Sequence, residues 1–376
     1  MMMASLQPLL LLALAAANTL AAPPSRQSTP RAYGSNTPPS ITPETRQNEA
    51  NYTAPYFPLL GFEQYAGNPI LRPNPNNSWE SAYLYNPSAI VLDDKVFLLY
   101  RAQDQEKKSS IGLAWSDDGY SFTRYNKPVV EATEWYEEIG GCEDPRVVRV
   151  NGTFYLTYTA YNNVTARLCL ATSTDLVHWT KYGPILPDFT EIVYNWRQPV
   201  VYYGPTPAGW TKSGAIIDER QPDGYYYMQF GDTYLYTANS TDLIHWSVSG
   251  GAAGVPFAPP LNVWEQGLME SGPPPIKTRD GKWLKVYNAM ATGLGGYTAT
   301  QYSTGQMLID PANAPLGPPL ARIETPILQP TTQTEIKGQV DNVVFSEGLV
   351  QFRGKWLLYF GAGDAFLSVA QAPVQP

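Results

Sequence analysis

Histidine and cysteine are scarce in this chain of 376 residues, with two of each. The histidines, His178 and His245, both fall in the same repeated string, Asp-Leu-x-His-Trp. A residue at matching places in a repeat reads as structural, which removes Ser-His-Asp and Cys-His chemistry. No Gly-x-Ser-x-Gly nucleophile elbow occurs. No Cys/His cluster has zinc spacing, and no glycine-rich loop opens a helix. No metal and no cofactor are therefore expected. Charge is also sparse, at 15% of residues, with a net charge of −8 and a pI near 4.9. An acidic surface repels nucleic-acid phosphates. No apolar run of spanning length follows the first 22 residues, so no membrane span is expected. Nothing in the sequence sets the oligomeric state.

The start of the chain is distinctive. Residues 1–22, MMMASLQPLLLLALAAANTLAA, are uncharged, with a Leu/Ala core from Leu9 to Ala16 and small residues at Ala21 and Ala22. That is the pattern of a secretory signal peptide. Residues 23–52 are rich in Pro, Ser and Thr and read as a disordered linker. Asn-x-Ser/Thr sequons at Asn51, Asn76, Asn151, Asn163 and Asn239 fit a secreted, extracellular glycoprotein. In that oxidising route Cys142 and Cys169 are either one disulfide or two buried thiols.

What is abundant is aromatic: 13% of residues are Phe, Trp or Tyr. Short aromatic and β-branched runs alternate with Gly, Pro, Asn and Asp, which reads as all-β. The runs recur. A strand, a turn and a second strand appear at 86–103, 143–161, 213–232, 272–290 and 342–364. A further strand ending in Ser, then Asp, then an aromatic follows three of them, at 111–122, 168–179 and 234–246. About four strands per unit in five units predicts a five-bladed β-propeller over residues 53–376, a single domain.

In a propeller the first strand of each blade lines a central channel. The start of strand one and the end of strand two then face a common funnel. Those places hold Asn86 and Arg101, then Glu143, Asp144 and Arg146, then Lys212 and Asp232, then Glu270 and Asn288, then Glu347 and Asp364. Glycosidic cleavage needs two carboxyl functions, one to protonate the leaving oxygen and one to activate water or attack the sugar. Neighbouring bases can split the pKa values of such carboxyls. Each of these charges taken alone is equally a blade-edge salt bridge. Pro145 biases Asp144 towards extended backbone.

At these residues the chain resembles glycoside hydrolase family 130, the β-mannoside phosphorylases and β-1,2-mannosidases. The matching stretches include YNPSAI at 85–90, GGCEDPRVV at 140–148, KSGAIID at 212–218, MESGPPPI at 269–276 and YFGAGD at 359–364. The resemblance implies that Asp144 is the general acid. It implies that the proton travels through the mannose 3-hydroxyl, with inversion. It also places sugar contacts at Asn86, Arg101 and Asp364, and implies a mannose-containing oligosaccharide or glycan as partner. The His-Arg pair of the family's phosphorylases is replaced here by MQFGD, and Glu270 stands where they carry a small neutral residue. Glu270 is therefore the expected base, with Glu347 and Asp232 in reserve. Glu143 is expected to meet substrate or Arg146. Together with export, this favours a secreted inverting β-mannosidase. A phosphorylase, towards which Lys212 points, is the first alternative. A non-catalytic carbohydrate-binding propeller is the second.

Overall fold

The computed structural model describes residues 36–189, 209–250 and 254–376, together with the backbone of 192–194 and 203–205. The expected signal peptide and the first part of the expected linker lie outside the described residues. The protein is nearly all β, as expected; its one α-helix among the described residues is Gln333–Ile336.

Five antiparallel units follow one another. Unit one is built from Tyr83–Leu92, Lys95–Gln103, Ser109–Ser116 and Thr123–Arg124. Unit two is Gly141–Val150, Thr153–Tyr161, Ala166–Ser173 and Thr180–Pro184. Unit three is Ala215–Ile216, Tyr226–Phe230, Tyr236–Ser240 and Ser247–Val248. Unit four is Leu268–Ser271, Trp283–Thr292, Ala299–Ile309 and Ala321–Arg322, with Ile276–Lys277 added. Unit five is Val344–Phe352, Lys355–Ala362 and Phe366–Pro373, and its fourth strand is the early segment Glu63–Gln64.

Local chemistry explains the hairpins. The turns Asp93-Asp94, Asn151-Gly152 and Arg353-Gly354 all have positive φ at both positions. That conformation matches the right-handed twist of the flanking strands. Each Ser-x-Asp string forms one more repeated turn. Asp118, Asp175 and Asp242 accept backbone N–H bonds of 2.7–2.9 Å from the residues two and three ahead. His178 and His245 finish two of these turns with their rings in solvent, 86% and 87% exposed.

Five apolar clusters hold the units together, and each lies between two of them. They join one to two, two to three, three to four, four to five, and five back to one. Polar bridges follow the same circuit. Val147 N–H donates to Ser88 Oγ at 3.0 Å, and Thr157 Oγ1 to the Gly214 carbonyl at 2.6 Å. Ser271 Oγ donates to the Gln229 carbonyl at 2.9 Å, and Asn288 Nδ2 to the Ser346 carbonyl at 2.9 Å. Between units five and one, Gly348 lies so close to Pro87 that a Cβ there would come within 2.8 Å of its carbonyl oxygen.

A buried tyrosine–glutamate node recurs that the sequence reading did not separate from the core. Tyr100 OH donates to Glu80 at 2.9 Å and Tyr158 OH to Glu137 at 2.8 Å, while Tyr287 OH pairs with Glu265. Arg124, Lys181 and Arg322 supply the matching charges. The residue opposite each tyrosine is small: Gly112, Cys169 and Gly305. A Cβ at Gly112 would fall 2.4 Å from the Tyr100 ring. This explains Cys169 as a small buried side chain.

One open alternative closes and one expectation changes. Cys142 and Cys169 are free, buried thiols. They lie on strands separated by Thr153–Tyr161. Two strand spacings are about 9.5 Å, beyond the ~7 Å that a disulfide spans. The expected linker also docks before residue 53. Arg149 donates to the carbonyls of Thr42 and Thr45 at 2.9 and 2.5 Å, and Gln47 bridges to Leu92. Of the sequon asparagines, Asn51, Asn76, Asn151 and Asn163 are exposed. Asn239 is half-buried, and its Nδ2 donates to Ser249 Oγ at 2.9 Å.

Candidate active site

Bulges create the site. The first strands of units one, two and five each slip register between Tyr85 and Pro87, Glu143 and Arg146, and Ser346 and Gly348. A bulge re-aims the side chain it leaves unpaired. Here those residues include Asn86, Asp144 and Glu347. Asn86 and Asp144 have φ of 47° and 49°, the left-handed region that Asn and Asp tolerate best. Ser213, at φ 57°, and Glu270 occupy the matching places in units three and four.

Arg101 organises one side. Its Nη1 donates to Asp144 Oδ1 at 3.1 Å and its Nη2 to Glu143 Oε1 at 2.7 Å. Its Nε donates to Ser109 Oγ at 3.0 Å, and the guanidinium lies 4.8 Å over the Tyr85 ring. Asn86 Nδ2 donates to the same Asp144 oxygen at 2.9 Å. Glu143 thus pairs with Arg101 and not with Arg146, which corrects the sequence reading.

Glu270 occupies the other side. Ser213 Oγ donates to its Oε2 at 2.6 Å, and Lys212 Nζ lies 3.3 Å from the same oxygen. Trp210 Nε1 donates to Asp232 Oδ2 at 3.1 Å. Arg146 and Glu347 form a pair beneath, 2.7 Å apart with side chains 1% and 0% exposed.

The charges are unequal. Burial works to raise the Asp144 carboxyl, but Arg101, Lys212, Arg146 and the Asn86 amide outweigh it and bring it down to about 2. Burial raises Glu143 to about 7, with Arg101 opposing and the Asp144 charge adding. Burial likewise raises Asp364 to about 7. Burial pushes Glu347 well above the usual carboxylate range, opposed by Arg146. Burial opposes the Lys212 charge, yet Glu270, Asp232 and Asp144 hold its pKa well above the ordinary value. Adjacent acids that share one arginine titrate as a pair. Burial thus favours the protonated form of Glu143, while Arg101 and the Asn86 amide favour the Asp144 anion.

The structure thus brings together Asn86, Arg101, Glu143, Asp144, Lys212 and Glu270 by direct contact. Asp232, Asp364 and Glu347 join through charge on Lys212, Arg101 and Asp144. Asn288 does not join them. Its Oδ1 accepts from Ser346 N–H and Thr304 Oγ1, and its Nδ2 holds the Ser346 carbonyl, so it braces units four and five. Arg146 is buried among backbone carbonyls and presents nothing to a substrate. The sequence reading missed Ser213 and Tyr302, whose hydroxyl burial pushes well up beside Glu270 and Lys212. Ser213 was legible in one respect: it stands beside Lys212, at the place where units two, four and five present Asp144, Glu270 and Glu347. Among the described residues no group of three or more His, Cys, Asp or Glu side chains could hold a metal. No described helix is long and apolar enough to cross a membrane.

The arrangement offers two carboxyl functions from separate units, one tied to an arginine and an amide, the other to a hydroxyl and an amine. Known proteins resemble the chain over most of its length. The family model described as beta-1,4-mannooligosaccharide phosphorylase matches residues 58–376. A 1,2-beta-oligomannan phosphorylase of Thermoanaerobacter sp. is 30% identical, covering 83% of this chain and 97% of its own. A putative glycosidase of Bacteroides thetaiotaomicron is 34% identical with a TM-score of 0.73, covering 82% of this chain and 96% of its own. A structure from work on glycoside hydrolases of family 130 that target β-1,2 mannosidic linkages in Candida mannan is 31% identical. Its TM-score is 0.73, and the match covers 88% of this chain and 99% of its own. The chain belongs to glycoside hydrolase family 130.

Proposed function

We propose that the five units form a five-bladed β-propeller and that its site hydrolyses terminal β-1,2-linked mannosides with inversion. Five apolar clusters that run from unit to unit and return to the first support the propeller. One observation carries hydrolysis over phosphorolysis: every cation at the site is already matched by a carboxylate. Arg101 serves Asp144 and Glu143 and Lys212 serves Glu270, while Arg146 is spent on backbone carbonyls and faces no substrate. Among the described residues this leaves no spare charge for a phosphate, whereas a carboxylate such as Glu270 suits a water.

In this mechanism Asp144 is the acid and Glu270 the base. The terminal mannose lies between them, contacted by Asn86, Arg101 and Asp364. Asn86 Oδ1 accepts no protein hydrogen bond and lies against Gly361, where a Cβ would come within 2.4 Å of it. Binding moves the shared proton from Glu143 to Asp144, because a substrate hydroxyl competes for the contacts that now favour the Asp144 anion. The proton then passes through the mannose 3-hydroxyl to the leaving oxygen. Glu270 takes a proton from water on the opposite face. Export is proposed from residues 1–22 and from four exposed sequons.

Phosphorolysis is the second reading. It is favoured by Lys212 and by curated relatives named as phosphorylases of β-1,2-mannobiose and β-1,2-oligomannan. Turnover of β-1,2- and β-1,4-mannobiose in phosphate-free buffer separates the readings. Hydrolysis predicts full mannose release from the β-1,2 dimer. Strict dependence on phosphate establishes the second.

A further inference from the structure

Arg146 stands two residues after Asp144, and its side chain leaves the sugar site for the ground beneath it. Its Nη1 donates to the carbonyl of Asp144 itself at 3.1 Å. Its Nη2 donates to the Ser271 carbonyl at 2.6 Å and its Nε to the Gly272 carbonyl at 2.9 Å. Ser271 and Gly272 directly follow Glu270. One planar guanidinium therefore clasps the backbone that carries the acid and the backbone that carries the base. Glu347, from unit five, lies 2.7 Å from Nη2, yet neither of its oxygens accepts an aligned hydrogen bond. It stands close enough to Asp144 and Glu270 for both charges to bear on it.

We propose that Arg146, held in place by Glu347, is a positioning residue that fixes the separation between the Asp144 and Glu270 carboxyls. Inversion makes this separation matter. The two groups must stand roughly 6.5–9.5 Å apart to admit sugar and water. A displacement of about 1 Å in such a site costs on the order of 10²-fold in rate. A fixed fork of donors spanning two strands is what arginine supplies and lysine does not. Glu347 gives the fork its third anchor from a third unit. Lys285, whose Nζ donates to Ser271 Oγ at 2.9 Å, borders the same clasp, and burial beside Arg146 holds its pKa well below the ordinary value.

This inference rests on the proposed acid and base, so its test has one arm that needs no substrate. Arg146→Lys and Glu347→Gln are made in the full chain, with melting followed by circular dichroism. In Arg146→Lys, kcat on β-1,2-mannobiose falls about 10²-fold, KM changes little and the protein still melts cooperatively. Glu347→Gln, which keeps the shape, loses less than Arg146→Lys. The crystal structure of Arg146→Lys shows the Asp144–Glu270 separation changed by about 1 Å. An unchanged separation overturns the proposal whatever the substrate proves to be. So does a raised KM at unchanged kcat, which marks a substrate contact. So does a lowered melting point at unchanged kcat, which marks a purely structural role. If the wild type turns over no β-mannoside, the functional reading fails, and the crystallographic separation alone decides the positioning role.

Discussion

Replacing Glu270 by Gln removes one charge and little volume, so its consequences follow from its two neighbours. Ser213 Oγ at 2.6 Å can still donate to the amide oxygen. Lys212 at 3.3 Å loses its leading partner but keeps the charge of Asp232 nearby. A charge-assisted hydrogen bond contributes about 1.5–3 kcal/mol. The surviving contacts offset part of that, so stability falls by about 1–2 kcal/mol, and a chain of this size melts only a few degrees earlier. Catalysis suffers far more. Loss of a positioned general base costs about 10²–10⁴ in rate, or about 3–5 kcal/mol of barrier at ~1.4 kcal/mol per decade. The assay is mannose release from β-1,2-mannobiose, repeated with sodium azide. Azide enters from the face that water used and needs no base, so α-mannosyl azide forms and part of the turnover returns. Turnover within about threefold of wild type, far short of the loss a base implies, refutes the assignment. The role then passes to Glu347 or Asp232.

Asp144→Asn keeps a neutral isostere between Asn86 and Arg101, so turnover drops by about 10²–10⁴, while titration calorimetry with β-1,2-mannobiose still detects binding. Unchanged turnover removes Asp144 as the acid, whereas binding without turnover in the wild type makes the chain a carbohydrate-binding protein. Glu143 and Asp364 both titrate near 7, above their ordinary 4.5 and 3.8. Below 7 the folded protein keeps protons that the unfolded chain has lost, so stability from these groups fades as pH rises through 7. The shared proton leaves over the same range, so kcat/KM falls above about pH 7. A pH profile of Glu143→Gln should move that limb, and an unmoved limb removes Glu143 from the proton's path. Gly112→Ala sets a Cβ 2.4 Å from the Tyr100 ring and 2.7 Å from Trp79. Overpacking of this kind costs about 1–3 kcal/mol, so chemical denaturation should show a lower midpoint, and an unchanged midpoint contradicts the packing described for that node.

Much of this was legible because the chain repeats. Aligning Asn-Pro-Ser, Asp-Pro-Arg and Glu-Gly-Leu on their following apolar runs puts Asn86, Asp144 and Glu347 in register from sequence alone. Unit three resists that alignment, because its first strand is only Ala215–Ile216 and its site residue is an uncharged serine. Arg146 was misread because a base beside an acid resembles a substrate contact, and only its burial among carbonyls shows otherwise. Asn288 failed in the same way: its place in the repeat is right, but a cross-unit bridge consumes its amide. Tyrosines such as Tyr302 are hidden by number, since 26 of them share the chain. The cysteines stayed open between a disulfide and two thiols because their spacing in sequence says nothing of their distance in space. Strand order sets them too far apart.

The central claim is that water, not phosphate, attacks the sugar in this site. Proton NMR of β-1,2-mannobiose turnover, followed from the first minutes with and without phosphate, reads nucleophile and stereochemistry together. Free α-mannose appearing first, at a rate indifferent to phosphate, is the predicted result. Accumulation of α-mannose 1-phosphate, with no free mannose formed when phosphate is withheld, contradicts it.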